Sequence, residues 1–168
     1  MQSMLRFLAL SGVVLLLVAC GFQLKGSTQW PLELAELSVS SPDPTTVFMR
    51  ELMTELRTSG VASASASANG VPLLMIERQN LYREALTISQ DARVQEYVLY
   101  LEVGFSLFGA NGESIISDQS LRLSRDYRFQ DDAILASRRE EEFLERNLAR
   151  SMAVLLLDEV ARQSQGYQ

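Results

Sequence analysis

The sequence predicts an α+β fold, a two-layer sandwich of two helices packed on a mostly four-stranded mixed sheet. Three observations carry that expectation. Tyr97, Leu99, Leu101, Val103, Phe105 and Leu107 occupy alternate positions, the period of a half-buried strand. Phe48, Leu52 and Leu56 recur every four residues, the period of a helix that buries one face. Leu144, Leu148, Met152, Leu155 or Leu156, and Val160 repeat in the same way near the end of the chain. A sheet with one apolar face and helices with one apolar stripe can hide those surfaces only against each other, which makes two layers.

The elements follow in order. Residues 34–40 (Leu-Ala-Glu-Leu-Ser-Val-Ser) suit a first short strand. Ser41-Pro42-Asp43-Pro44 turns the chain and prepares a helix, with Asp43 as N-cap and Pro44 at the first helical position, where a missing amide costs nothing. The helix covers 45–59; Met49 and Met53 widen its apolar face, and Gly60 stops it. Residues 61–70 are rich in Ser and Ala and suit a short strand with a loop. From 73 to 88 the chain is extended, with Leu74 and Ile76 on one side and polar residues through Asn80 blurring the alternation. A polar break at 89–93 precedes the central strand, 97–108. Asn111-Gly112 is a hairpin signal. The returning strand, 114–129, puts Leu121, Leu123, Tyr127 and Phe129 on one face, with Arg125 as the exception. Asp131-Asp132 opens the last helix, where free amides and the dipole favour carboxylates. It runs to about Ser164, roughly nine turns.

The beginning of the chain has a different character. Residues 1–6 carry one base and no acid, residues 7–18 are apolar apart from Ser11 and Gly12, and Leu17-Val18-Ala19-Cys20 closes the segment. A basic stretch, an apolar run and a small residue before a cut make a secretory signal. The run is about a dozen residues, short of the roughly 20 a spanning helix needs. Leu-Val-Ala-Cys resembles the lipobox of bacterial lipoproteins, which implies a signal peptide over 1–19, cleavage before Cys20 and covalent lipid on Cys20. Several acyl chains there would make the anchor effectively permanent, since each buried methylene contributes about 0.8 kcal/mol. Gly21 stands where an Asp would resemble an inner-membrane retention signal, so the expected address is the outer membrane, on its periplasmic side. Residues 20–31 form the lipidated leader and 32–168 a single α+β domain.

Composition narrows the chemistry. Without its first nineteen residues the chain is 149 long (168 less 19) and, having lost Arg6, moves from a formal charge of −6 to −7. An acidic domain of this size argues against nucleic-acid binding, which draws on a basic patch. There is no histidine, and the lone cysteine is committed to lipid. Ser-His-Asp triads, Cys-His pairs and the usual zinc sites are therefore absent. Glu140, Glu141, Glu142 and Glu145 supply carboxylates, but an acidic run on one helix reads as a solvated face. No enzyme and no cofactor is expected, apart from the covalent lipid.

Cys20-Gly21-Phe22-Gln23-Leu24-Lys25-Gly26 follows the lipobox at once, Glu96-Tyr97 enters the central strand, and a hairpin and long helix complete the chain. In order and spacing these features resemble the LptE family, the lipopolysaccharide-assembly lipoproteins of Gram-negative outer membranes. The resemblance implies a non-enzymatic protein that plugs the lumen of the LptD barrel, helps assemble lipopolysaccharide at the outer membrane and binds it directly. It also associates bases near Arg93, and near Arg138 and Arg139, with lipopolysaccharide contact. Arginine offers a planar fork for phosphate and carboxylate. The plainer reading of all three is solvated charge, with Arg138 and Arg139 spent on Glu141 and Glu142 along their own helix. Arg122, Ser124, Asp126 and Arg128 alternate on one face of the returning strand, most simply its water-facing side. Tyr97, Phe105 and Tyr127 are expected in the core. The competing function is a periplasmic scaffold lipoprotein of another envelope assembly or a cell-wall-binding system.

Overall fold

A computed structural model describes residues 34–64, 70–88, 93–129 and 134–164. Cys20, the signal and leader segments, and Asp131-Asp132 lie outside the described residues. The order is β1 (Glu36–Ser40), α1 (Val47–Thr58), β2 (Ala62–Ala64), β3 (Leu73–Ile88), β4 (Val94–Phe108), β5 (Ser114–Arg128) and α2 (Ile134–Ser164). The two helices lie on a single sheet of order β2-β1-β3-β4-β5, parallel from β2 to β3 and antiparallel from β3 to β5. The sheet therefore has five strands where mostly four were expected. The fifth is β2, three residues long, which falls where residues 61–70 suited a short strand. Parallel β1 and β2 need a crossover, and α1 supplies it.

α1 begins later than the sequence suggested. Thr46, not Asp43, is the N-cap: it is extended (φ −63°, ψ 159°), and its Oγ1 accepts from the Met49 amide at 3.2 Å. Asp43 Oδ1 instead accepts from the Thr45 amide at 2.9 Å and the Thr45 hydroxyl at 2.7 Å, a local turn that spends the carboxylate before the helix starts. The Thr45 hydroxyl, then its amide, hold the Asp43 carboxyl below its ordinary range.

β3 changes face part-way along. Leu74 and Ile76 point into the core, but a bulge between Ile76 and Arg78 inserts one residue. Beyond it Gln79, Leu81, Arg83 and Ala85 pair with the helix-facing Val103, Leu101, Leu99 and Tyr97. A one-residue slip turns the following side chains over, here as far as Ala85, after which the register shifts again. This is why the alternation fails near Asn80, and it places Arg83 under α2.

α2 buries adjacent pairs at four-residue spacing: Leu148 with Ala149, Met152 with Ala153, Leu156 with Leu157, Val160 with Ala161. Such a broad stripe meets both the sheet and α1. Leu156 is the core member and Leu155 is exposed, which resolves the alternative left by the spacing.

The core is concentrated at one end. α1 has 12 residues, about 18 Å, whereas β3 has 16, about 50 Å if extended. β1 pairs with β3 only over Leu73–Met75. Two helices and five strands thus close around Leu37, Leu52, Leu74, Phe105, Leu107 and Met152, all essentially inaccessible. Past Leu101 only Leu99 and Tyr127 of the buried core cluster remain, and α2 alone covers three strands. We refer to these as the closed and open halves.

Candidate functional site

The open half ends where the end of β3, the start of β4, the end of β5 and the start of α2 converge. Ile88 pairs with Val94, Glu96 with Arg128, and the Phe129 amide donates to the Gln95 carbonyl at 2.8 Å. Arg93 precedes β4 and is exposed; Arg138 and Arg139 follow one turn into α2 and are exposed beside the buried Ser137. The topology brings these three sequence-selected residues to the same end of the molecule. Exposed Leu86, Ile88, Ile134, Leu135 and Phe143 also belong to the open half.

The local ion pairs expected for Arg138 and Arg139 do not form. Among the described residues neither pairs with Glu141 or Glu142, and Glu141 is taken by a residue 58 positions away. Arg83 Nη1 donates to Glu141 Oε2 at 2.8 Å and to Oε1 at 3.0 Å, and reaches the Tyr127 hydroxyl at 3.4 Å. Its guanidinium carbon lies 4.7 Å from the Tyr97 ring centre. The hydrogen bond to Tyr127, and then the charge of Glu141, hold Arg83 still more firmly in its charged form. Burial is the main reason the Tyr127 phenol is pushed up. Tyr97 completes the cluster, 5.8 Å from Tyr127 and edge-on to Phe129 at 5.5 Å. This clamp ties α2 to the sheet where the apolar core has run out, and it takes Glu141 away from Arg138. Of the aromatics expected in the core, Phe105 and Tyr127 are buried and Tyr97 lies half-buried at its margin.

A second clasp marks the boundary between the halves. Thr46 Oγ1 donates to Gln79 Oε1 at 2.6 Å, while Gln79 Nε2 donates to Ser41 Oγ at 2.9 Å and to the Asp43 carbonyl at 2.7 Å. Neither Arg83 nor Gln79 was selected from the sequence; both stand inward in β3 only because of the bulge. Their one visible signal is polarity within a strand whose first residues are apolar.

On the other side of the sheet, charges are paired. Arg122 bonds Glu102 at 2.9 Å, donates to the Tyr82 hydroxyl and lies 4.6 Å from the Tyr100 ring centre; Tyr82 stacks on Tyr100 at 5.2 Å. Arg128 meets Glu96 at 3.5 Å. Most of this face is open to water, as its alternation suggested. No group of His, Cys, Asp and Glu among the described residues can hold a metal ion.

A sequence model of the LptE lipopolysaccharide-assembly family matches residues 34–160. The chain belongs to that family. The LPS-assembly lipoprotein LptE of Photorhabdus laumondii is 30% identical over 145 residues, spanning 84% of this chain and 76% of the relative. That of Pectobacterium atrosepticum is 33% identical over 102 residues, 60% of this chain and 55% of the relative, so the match spans little more than half of the latter's length. Among solved structures, the rare lipoprotein B of Shewanella oneidensis superposes with a TM-score of 0.69 at 28% identity, covering 79% of this chain and 98% of that one. Lipoprotein B of Nitrosomonas europaea gives 0.71 at 23% identity, over 86% and 93%, a likeness of fold. LptE membership establishes a Gram-negative envelope lipoprotein of lipopolysaccharide assembly.

Proposed function

We propose that the mature protein is a non-enzymatic outer-membrane lipoprotein, held on the periplasmic side by lipid on Cys20, that occupies the lumen of the LptD barrel and assists insertion of lipopolysaccharide. The observation that carries this reading is the LptE match across 34–160, almost the whole described domain. Within it, Arg93, Arg138 and Arg139 meet the phosphates of lipopolysaccharide. Their exposure at one end, and the diversion of Glu141 to Arg83, support that assignment. Charged forks of this kind bind phosphate through paired, charge-assisted hydrogen bonds.

Gentle detergent extraction of the lipidated protein tests the partner: a far larger barrel protein should co-purify. Recovery only as a free monomer would overturn the reading. Retention on purified cell wall would instead favour a wall-binding scaffold. The contact residues are tested separately by the double substitution R93D and R138D, which should weaken lipopolysaccharide binding and leave the barrel complex intact. Equal binding by wild type and variant would return both arginines to ordinary solvated charge.

A further inference from the structure

A cleft of about 150 Å³ lies at the boundary of the two halves, between the first turn of α1, β3 and α2. Val47, Phe48, Leu81, Leu101 and Ala149 make its walls, and Glu145 is the carboxylate among its lining residues. This is room for a side chain rather than for one water. We propose that the cleft receives a lysine or arginine side chain from an extended segment of a partner protein.

Three observations support a cationic side chain. Glu145 is half-buried, and among the described residues it has no hydrogen bond or ion pair of its own, whereas Glu141 one turn earlier is held by Arg83. Burial, and then the charges of Glu141 and Glu142, disfavour its ionised form and outweigh the opposing charges of Arg146 and Arg83, so a cation brought into the cleft would favour the carboxylate. The apolar walls suit the methylene stem that a long basic side chain carries behind its charge.

The extended backbone follows from β3. Past Gln79, no described strand pairs with the outer edge of β3 as far as Ile88. An added strand gains main-chain hydrogen bonds there and directs alternate side chains toward the helix layer. Leu81 belongs both to this edge and to the cleft wall. An anionic group would meet Glu145 with Glu142 nearby, so this surface selects the opposite charge from the arginine end. The inference does not depend on Arg93, Arg138 or Arg139.

The test is a methyl NMR titration of the mature chain with a capped hexapeptide of alternating Thr and Val and one central Lys. The peptide should shift the Leu81 and Leu101 methyl signals saturably. Replacing its Lys by norleucine, which keeps the stem and removes the charge, should weaken binding about tenfold, as should E145Q in the protein. An unchanged amide spectrum for E145Q shows that its fold is intact. Equal affinity for the norleucine peptide would overturn the cationic assignment, and unshifted Leu81 and Leu101 methyls would overturn the site. If n-pentylamine alone binds as tightly as the peptide, the strand-borne side chain is refuted in favour of a free amine.

Discussion

The closed and open halves are made from the same three long strands, yet they are held together by different physics. In the closed half, β3, β4 and β5 lie beneath two helices, and Phe105, Leu107, Leu74 and Ile76 are sealed from water. In the open half the strands continue, but the positions under α2 are Leu81, Arg83 and Ala85 facing Leu101, Leu99 and Tyr97. Burial there gives way to one guanidinium shared among a carboxylate, a phenol and a ring. Apolar burial stabilises in proportion to area and tolerates no water, whereas a partly exposed ion pair contributes little and yields easily. The contrast assigns global stability to one half and leaves the other free to carry exposed arginines and apolar side chains.

The largest effect that would sharpen this contrast is Phe105→Ala. Removing a fully buried ring from the closed half should cost about 3–5 kcal/mol and lower the denaturant midpoint of the whole domain. A loss confined to local protection in β3–β4 would contradict the division. At the boundary, Thr46→Ala removes both the α1 cap and the bond to Gln79, and should cost roughly 0.5–2 kcal/mol by equilibrium unfolding. Arg83→Met, in the open half, should cost about 1 kcal/mol or less globally, because the guanidinium is partly exposed. Its signature is local: hydrogen exchange should quicken over 134–147 of α2 and stay unchanged over 148–164. Uniform acceleration would show that the clamp serves the whole fold.

The smallest effect concerns Glu145. Its folded-state pKa lies above the ordinary 4.5, through burial first and then Glu141 and Glu142. The folded protein therefore holds this proton more tightly than the unfolded chain, and stability falls as pH rises from 4.5 through the raised value. Glu145→Gln should remove that part of the slope, seen as a flatter melting temperature against pH with the largest gain at neutral pH. An unaltered slope would place the carboxylate in ordinary water.

What could be read in the sequence divides along the same boundary. β4, α1 and the tail of α2 were legible because their burial is apolar and periodic. β3 was legible only as far as Ile76. The bulge at 77 reverses its faces, and no composition signal distinguishes an inward Arg83 from a solvated one. The N-cap was misplaced by three residues because Asp43-Pro44 and Thr46 are both good starts, and the choice is made by Gln79, 33 residues after Thr46. Arg93, Arg138 and Arg139 were selectable by charge and resemblance, but their shared end is a product of strand pairing. The Arg83–Glu141 clamp spans 58 residues and exists only once β3 and α2 are in register.

The length of β3 has a mechanical consequence. Leu34 is buried in the closed half, and Ser38 pairs with Leu73 at the start of β3. Ile88 and Arg93 stand at the other pole, on the order of 50 Å away along a continuous strand. Pairing of β3 with β4 runs from Leu73 to Ile88 and shifts register after Ile76 and again after Ala85, so the two poles are joined by one hydrogen-bonded ladder that bends at those two points.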